Sequence, residues 1–91
     1  MDLIFTKTED GRFEARHTVN ADFNVHVEIH KGTPCSLVVN VSTVEDGEPV
    51  AAYSGNVSEV FDRDFDAIVY PKFVTIVTDQ PVRRGVITEA T

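Results

Sequence analysis

Three aspartates at alternate positions, Asp62, Asp64 and Asp66, have the spacing in this chain that comes nearest to a cation site. Carboxylate oxygens are preferred calcium ligands, and calcium loops place acidic residues at alternate positions. Such a loop also needs glycine at its sixth position and glutamate at its twelfth, where this chain has Ala67 and Phe73. In an extended strand the carboxylates would lie ~6–7 Å apart on one face, which suits solvent better than a single ion. We expect a solvated acidic face, and cation binding by the three aspartates stays an open alternative.

The histidines are the next candidate ligands. His26 and His30 lie four residues apart on the outward phase of one predicted strand, hence ~13 Å from each other, too far to share one zinc ion. His17 shares the phase of the apolar residues in its own segment, which predicts partial burial. The sequence therefore predicts no metal site built from histidines.

Nucleophiles and basic residues complete the inventory of reactive groups. No serine lies in a Gly-x-Ser-x-Gly context, and the single cysteine, Cys35, is in phase with core residues, which predicts a buried, inert thiol. Arg83 and Arg84 fall on opposite phases, and we expect a cross-strand or intersubunit pair with the Asp-rich segment. We predict no enzyme activity, no cofactor, and no catalytic, cofactor-binding or metal site.

The elements that must position these residues read as short strands. Residues 23–29 alternate apolar and polar without interruption, which is the period of a strand with one buried face. Turn formers separate further strand-like segments at about ten-residue intervals: 2–7, 12–19, 22–30, 35–43, 50–57, 65–70, 72–78 and 82–88. We predict one all-β domain over residues 1–91, an antiparallel β-sandwich (Ig-like or jelly-roll-like) of about 7–8 strands, with a small β-barrel as the alternative.

Pairings can be proposed for some segments. Placing Ile29 opposite Cys35 and Phe23 opposite Val41 puts the large residues of both strands on one face, which predicts a hairpin. Asp46-Gly47 carries the residue types of a tight hairpin turn. Residues 59–66 show no clear strand pattern, and Phe61 and Phe65 are expected to anchor a loop between sheets.

One segment is apolar on both phases. Phe73-Val74-Thr75-Ile76-Val77 places large side chains on either face of its strand. Strands buried on both faces have this composition. We therefore expect this strand to be covered on both sides, for instance by a subunit contact.

Composition limits the classes of partner. A net charge of −7, with Arg83-Arg84 as the only basic pair, argues against nucleic-acid binding. No apolar run approaches the ~18 residues of a membrane helix, and the N-terminal residues do not resemble a signal peptide. We therefore expect protein partners, no nucleic acid and no membrane, and a cytoplasmic site of synthesis.

Three segments carry a family resemblance: Ala21–Glu28, Val60–Phe65 and Val69–Thr78. Together they resemble small all-β proteins of tailed phages, and related prophages, of Bacteroides-type gut bacteria. The resemblance implies a virion component assembled in the bacterial cytoplasm, such as a capsid decoration, head-fibre or tail accessory protein. It also implies self-association or docking to other virion proteins, and it carries over no functional residue.

A second function stays open. A stand-alone bacterial β-sandwich that binds a peptide or carbohydrate would have the same composition. It would be a cytoplasmic monomer with an exposed aromatic patch, for which Tyr53, Tyr70 and Phe73 are the candidates. The partner and the copy number are not encoded in any local pattern.

Overall fold

The computed structural model describes residues 1–30, 32–45, 47–66 and 71–90, and its regular elements there are all β-strands. Eight strands are present: β1 (Thr6–Lys7), β2 (Phe13–Val19), β3 (Phe23–Ile29), β4 (Cys35–Ser42), β5 (Val50–Val57), β6 (Val60–Phe65), β7 (Lys72–Thr78) and β8 (Val82–Glu89). They form a five-stranded sheet in the order β1-β2-β7-β4-β5 and a three-stranded sheet in the order β6-β3-β8. All pairs are antiparallel, and neither sheet closes into a barrel, so the predicted β-sandwich is confirmed.

The strand order relates the fold to the immunoglobulin sandwich. β3 pairs with β6, while β4 pairs with β5 and β7, as strands B, E, C, C′ and F do in that fold. There the first strand lies beside B and the last beside F. Here the last strand, β8, lies beside β3, and β2 lies beside β7. The pairing is therefore that of an immunoglobulin sandwich in which the first and last strands have exchanged places.

The predicted hairpin between residues 23–29 and 35–41 is wrong. β3 and β4 lie in different sheets, although the inward residues of both strands are buried as the alternation indicates. Alternation reports which face of a strand is covered, and two strands that meet across a sandwich core show the same pattern as two that share hydrogen bonds. β4 instead forms its hairpin with β5; Asp46 of the predicted turn lies outside the described residues.

The segment expected to be a loop is strand β6. Phe61 and Phe65 point into the core as strand residues, and the predicted strand at 65–70 keeps only Phe65, since 67–70 lie outside the described residues. The pattern was obscured by Arg63, a charged residue on the inward phase. Its guanidinium lies 5.4 Å from the centroid of the Tyr53 ring, at the open side of the sandwich, where it needs no burial.

The core is aliphatic at its centre and aromatic at one side. Leu37, Ile76 and Ile87 are among its largest fully buried side chains. An aromatic row fills the space beside the connection from β5 to β6, with centroid distances of 5.3 Å for Phe23–Phe65, 6.5 Å for Phe61–Phe65 and 4.6 Å for Tyr53–Phe61. Cys35 is fully buried as predicted, and this burial raises the pKa of its thiol, which disfavours the reactive thiolate.

The segment predicted as one strand over residues 2–7 is divided between the two sheets. The backbone N–H of Leu3 donates to the carbonyl of Gly85 at 2.8 Å, and that of Ile87 donates to the carbonyl of Met1 at 3.0 Å. Four residues further along, β1 pairs with β2 in the other sheet. The N-terminal segment thus crosses from one sheet to the other and covers the β8 side of the core.

Gly85 permits this crossing. A methyl group at Gly85 would lie 2.7 Å from Cε1 of Phe5 and 3.3 Å from Cβ of Leu3. We expect Gly85→Ala to lower the free energy of unfolding by ~1–3 kcal/mol, the usual cost of overpacking. Urea unfolding measures this change.

A double-mutant cycle separates this clash from an effect on strand propensity. In a Phe5→Ala background, the Gly85→Ala substitution should cost less, because the ring it meets is gone. An equal cost in both backgrounds would contradict close packing between Phe5 and Gly85.

Candidate functional site

Six polar and charged residues lie together on the outer face of the three-stranded sheet. β3 presents Asn24, His26 and Glu28 outward, because they alternate with buried apolar residues. In the pairing register Asn24 lies opposite Asp64, and His26 lies opposite Asp62. On the other flank Glu28 lies opposite Arg84 of β8. We call these six residues the polar ladder.

Asn24 links two of the aspartates predicted as an acidic face. Its Nδ2 donates to Oδ1 of Asp62 at 2.8 Å and to Oδ1 of Asp64 at 2.9 Å. An amide group has two hydrogens, so both carboxylates are satisfied by one neutral donor. Asp66 is exposed and follows the end of β6. Within the ranges that the structure describes, no group of three or more acidic, histidine or cysteine side chains is arranged to hold a metal ion.

His26 is held between two carboxylates. Its Nδ1 lies 2.8 Å from Oδ2 of Asp62, and its Nε2 lies 3.0 Å from Oε2 of Glu28. Both ring nitrogens can donate only in the imidazolium form. The hydrogen bond with Asp62, followed by that with Glu28, therefore raises the pKa of His26 above 6.5. The pKa of Asp62 is lowered, first by the amide of Asn24 and then by His26.

This arrangement stabilises the sheet and leaves His26 little capacity for chemistry. An imidazolium whose two N–H groups both face carboxylates presents no lone pair to a metal or to a substrate proton. The other histidines are elsewhere: His17 is half-buried on β2, in the other sheet, and His30 is exposed just after β3. The partial burial predicted for His17 is confirmed.

The cross-strand pairing predicted between the arginine pair and the Asp-rich segment is wrong for Arg84, and the intersubunit pairing stays a prediction. Nη1 of Arg84 lies 3.7 Å from Oε2 of Glu28, and the Asp-rich strand β6 is on the far side of β3. The strand order therefore decides the partner, since β3 separates the arginine from Asp62 and Asp64. Sequence reasoning also missed Asn24, because an asparagine on an exposed strand phase carries no signal of its own.

A second surface lies on the outer face of the five-stranded sheet. Val74 and Ile76 are buried in the core, while Phe73 and Val77 of the same strand are half-buried on the outside. Val38 of β4 lies opposite Val77 in the register. We call Phe73, Val77 and Val38 the β7 patch. The expected coverage of β7 is therefore complete on its inner face and partial on its outer face, and a subunit contact there stays a prediction.

A groove of about 360 Å³ runs over this patch. Besides Phe73 and Val77, its lining is polar or comes from the loop after β4: Glu14, Arg16, Asn40, Ser42, Gly47, Pro49 and Thr75. At its rim, Nε of Arg16 lies 2.6 Å from Oε1 of Glu14, so these two charges compensate each other. The groove is thus a mixed surface without a strong net charge.

The aromatic candidates for ligand binding occupy different environments. Tyr53 packs against Phe61 under the guanidinium of Arg63 and belongs to the edge of the core. Phe73 lies in the β7 patch, and Tyr70 lies outside the described residues. Of the three, Phe73 is therefore the one that the described structure presents in a groove.

The polar ladder predicts a pH dependence with a defined sign. Because the pKa of His26 is raised on folding, its stabilisation is complete below pH 6.5 and is lost as pH rises through the folded-state pKa. The free energy of unfolding of the wild type, minus that of His26→Gln, should therefore decrease from pH 6.5 to alkaline pH. Urea unfolding at several pH values measures this difference, and a difference that does not vary with pH would refute the ladder.

The change in stability at acid pH provides an independent check of the polar ladder. The pKa of Asp62 is lowered from 3.8 on folding, so its contribution is present above pH 3.8 and is lost as pH falls through the folded-state value. The Asp62→Asn variant should therefore lose less stability than the wild type on acidification below pH 3.8.

No helix in the described part of the chain has the length and apolarity to cross a membrane.

Comparisons with known proteins identify no relative of this chain. No family model, no curated protein and no solved structure matches the chain. The resemblance to phage proteins thus stays a prediction, and the polar ladder and the β7 patch are the basis for inferring a function.

Proposed function

We propose that this chain is a non-enzymatic structural or accessory protein of a phage virion, acting through protein–protein contacts that include self-association. Its place would be a capsid decoration, head fibre or tail, assembled in the bacterial cytoplasm. The observation that carries the proposal is the β7 patch, an apolar surface on the outside of the larger sheet. The resemblance of three segments to small all-β phage proteins supplies the class of assembly.

The β7 patch departs from the usual pattern of a sandwich strand. An antiparallel sheet with one solvated face normally places apolar residues inward and polar residues outward. β7 lies between β2 and β4 and carries Phe73 and Val77 on its solvent side. Covering such side chains with a partner gains ~25 cal/mol for each Å² of apolar surface removed from water. Protein docking is therefore the function that this face supports best.

The segments that carry the resemblance build the framework of the molecule. Phe23–Ile29 and Val60–Phe65 are the paired strands β3 and β6, and Lys72–Thr78 is the strand that presents the β7 patch. Their chemistry-bearing residues, His26 and Asp62, bind each other. A chain whose polar residues bind each other, and in which one strand presents an apolar contact face, is suited to be a component of an assembly.

Virion incorporation tests this proposal. The Phe73→Thr and Val77→Thr variants should fold, because both side chains lie on the outer face, and should be incorporated about tenfold less or worse, equivalent to ~1.4 kcal/mol of lost contact energy. Quantitative mass spectrometry of purified virions measures incorporation. Val86→Thr is the matched control, since Val86 is half-buried on the outer face of the other sheet. Virions that contain none of the wild-type chain would refute the proposal.

A stand-alone module that binds a peptide or carbohydrate is the second candidate. The observation in its favour is that the groove combines the Phe73 ring with neutral polar groups from Asn40 and Thr75. At about 360 Å³ it reaches the lower end of the ~300–1,000 Å³ range of ligand sites. Saturable binding of an oligosaccharide or peptide to a monomer, abolished by Phe73→Ala, would favour this candidate. A stable trimer or larger ring at micromolar concentration would count against it.

A further inference from the structure

Two open sheets have four edges, and in the described residues three of these are protected. β1 has only two residues, and the edge of β8 is covered by backbone hydrogen bonds from Met1 and Leu3. β6 carries Asp62, Arg63 and Asp64 along its length. Short strands, covering segments and charges are the recognised means by which sheet proteins prevent edge-to-edge pairing.

The β5 edge has almost none of these protections. Val50–Val57 is eight residues long and contains no charged residue and no proline. An irregularity opposite Val39 and Asn40 interrupts its pairing with β4, and the register then runs unbroken from Tyr53 to Val57. On its free side this five-residue run has no neighbouring strand among the described residues, so half of its backbone groups are available to another strand.

We propose that β5 pairs with β5 of a second copy of this chain, antiparallel and about a two-fold axis, so that two five-stranded sheets become one ten-stranded sheet. The proposal rests on the self-association included in the proposed function and names the surface that performs it. Two-fold pairing of one strand with itself is an isologous contact, which closes at two copies.

The side chains fit this pairing when the axis passes through Gly55. Tyr53 then lies opposite Val57 of the second copy, and Ser54 lies opposite Asn56 of the second copy. Aromatic–β-branched pairs of this kind stabilise antiparallel sheets by ~0.2–1 kcal/mol. A methyl group at Gly55 would lie 2.5 Å from Oη of Tyr53, so the tyrosine side chain already covers the backbone of Gly55.

The lack of charged residues on β5 favours a second copy of this chain over a foreign strand as its partner. The chain has a net charge of −7, which opposes the approach of two copies, so self-association requires a surface that adds no further like-charge contacts. β5 provides such a surface, and its self-pairing brings no like charges together across the strands. A foreign strand would normally be selected by complementary charges. β5 contains no charged residue that could provide such a selection.

The experiment compares three proteins by light scattering at micromolar concentration. The wild type should have twice the 10.1 kDa mass of one chain. Ser54→Lys/Asn56→Lys should have the mass of one chain, because these exposed side chains would juxtapose lysines across the axis. Thr6→Lys/Ala90→Lys makes the same charge change at exposed positions away from β5 and should stay dimeric. A cooperative thermal unfolding transition in each lysine variant establishes that both are folded.

Three other results would each contradict the proposal, and they are distinguishable from one another. A wild type with the mass of one chain overturns it, even if virions contain the chain and the proposed function survives. A dimer that persists in Ser54→Lys/Asn56→Lys places self-association on another surface. A monomer whose β5 binds an extended peptide assigns the edge to a foreign strand.

Discussion

The structure depends on burying alternate residues of β3, β4 and β7 between two sheets. Each fully buried valine, leucine or isoleucine contributes ~1.5–3 kcal/mol, and in a domain of this size few other sources of stability are available. Leu37 and Ile76 from one sheet and Val25 and Val27 from the other belong to a single core. Loss of the facing sheet would expose every one of them, so neither sheet is stable without the other.

The buried face of β3 was predictable from the sequence, whereas the strands that pair with it were not. The alternation in residues 23–29 correctly identified the buried side of β3, because period two is a local property of the strand. Its partners, β6 and β8, lie far away in the sequence, and nothing local distinguishes hydrogen-bonded neighbours from strands facing each other across the core. β6 was missed for a different reason: Arg63 occupies an inward phase at the open side, where burial is not enforced.

The same division applies to the two candidate surfaces. Side-chain type and strand phase were sufficient to place apolar residues on both faces of β7, but coverage of both faces was predicted and the outer face is half-buried in the structure. The polar ladder needed the register of β3 with β6, which brings Asn24 and His26 against Asp62 over a separation of more than thirty residues. A chain with a net charge of −7 thus satisfies part of its acidic surface with donors that only the assembled sheet supplies.

The long-range pairing of the strands has a consequence for folding. Ile87 hydrogen-bonds the backbone of Met1, a pairing that spans 86 positions of the chain. Non-local pairing of this kind slows folding, because a long loop must close before its contacts form. During synthesis, one edge of β3 is covered only after β6 has left the ribosome, and the other edge only after β8 has followed. The newly made chain therefore exposes the backbone edges of one of its most apolar strands until β6 and then β8 have been made.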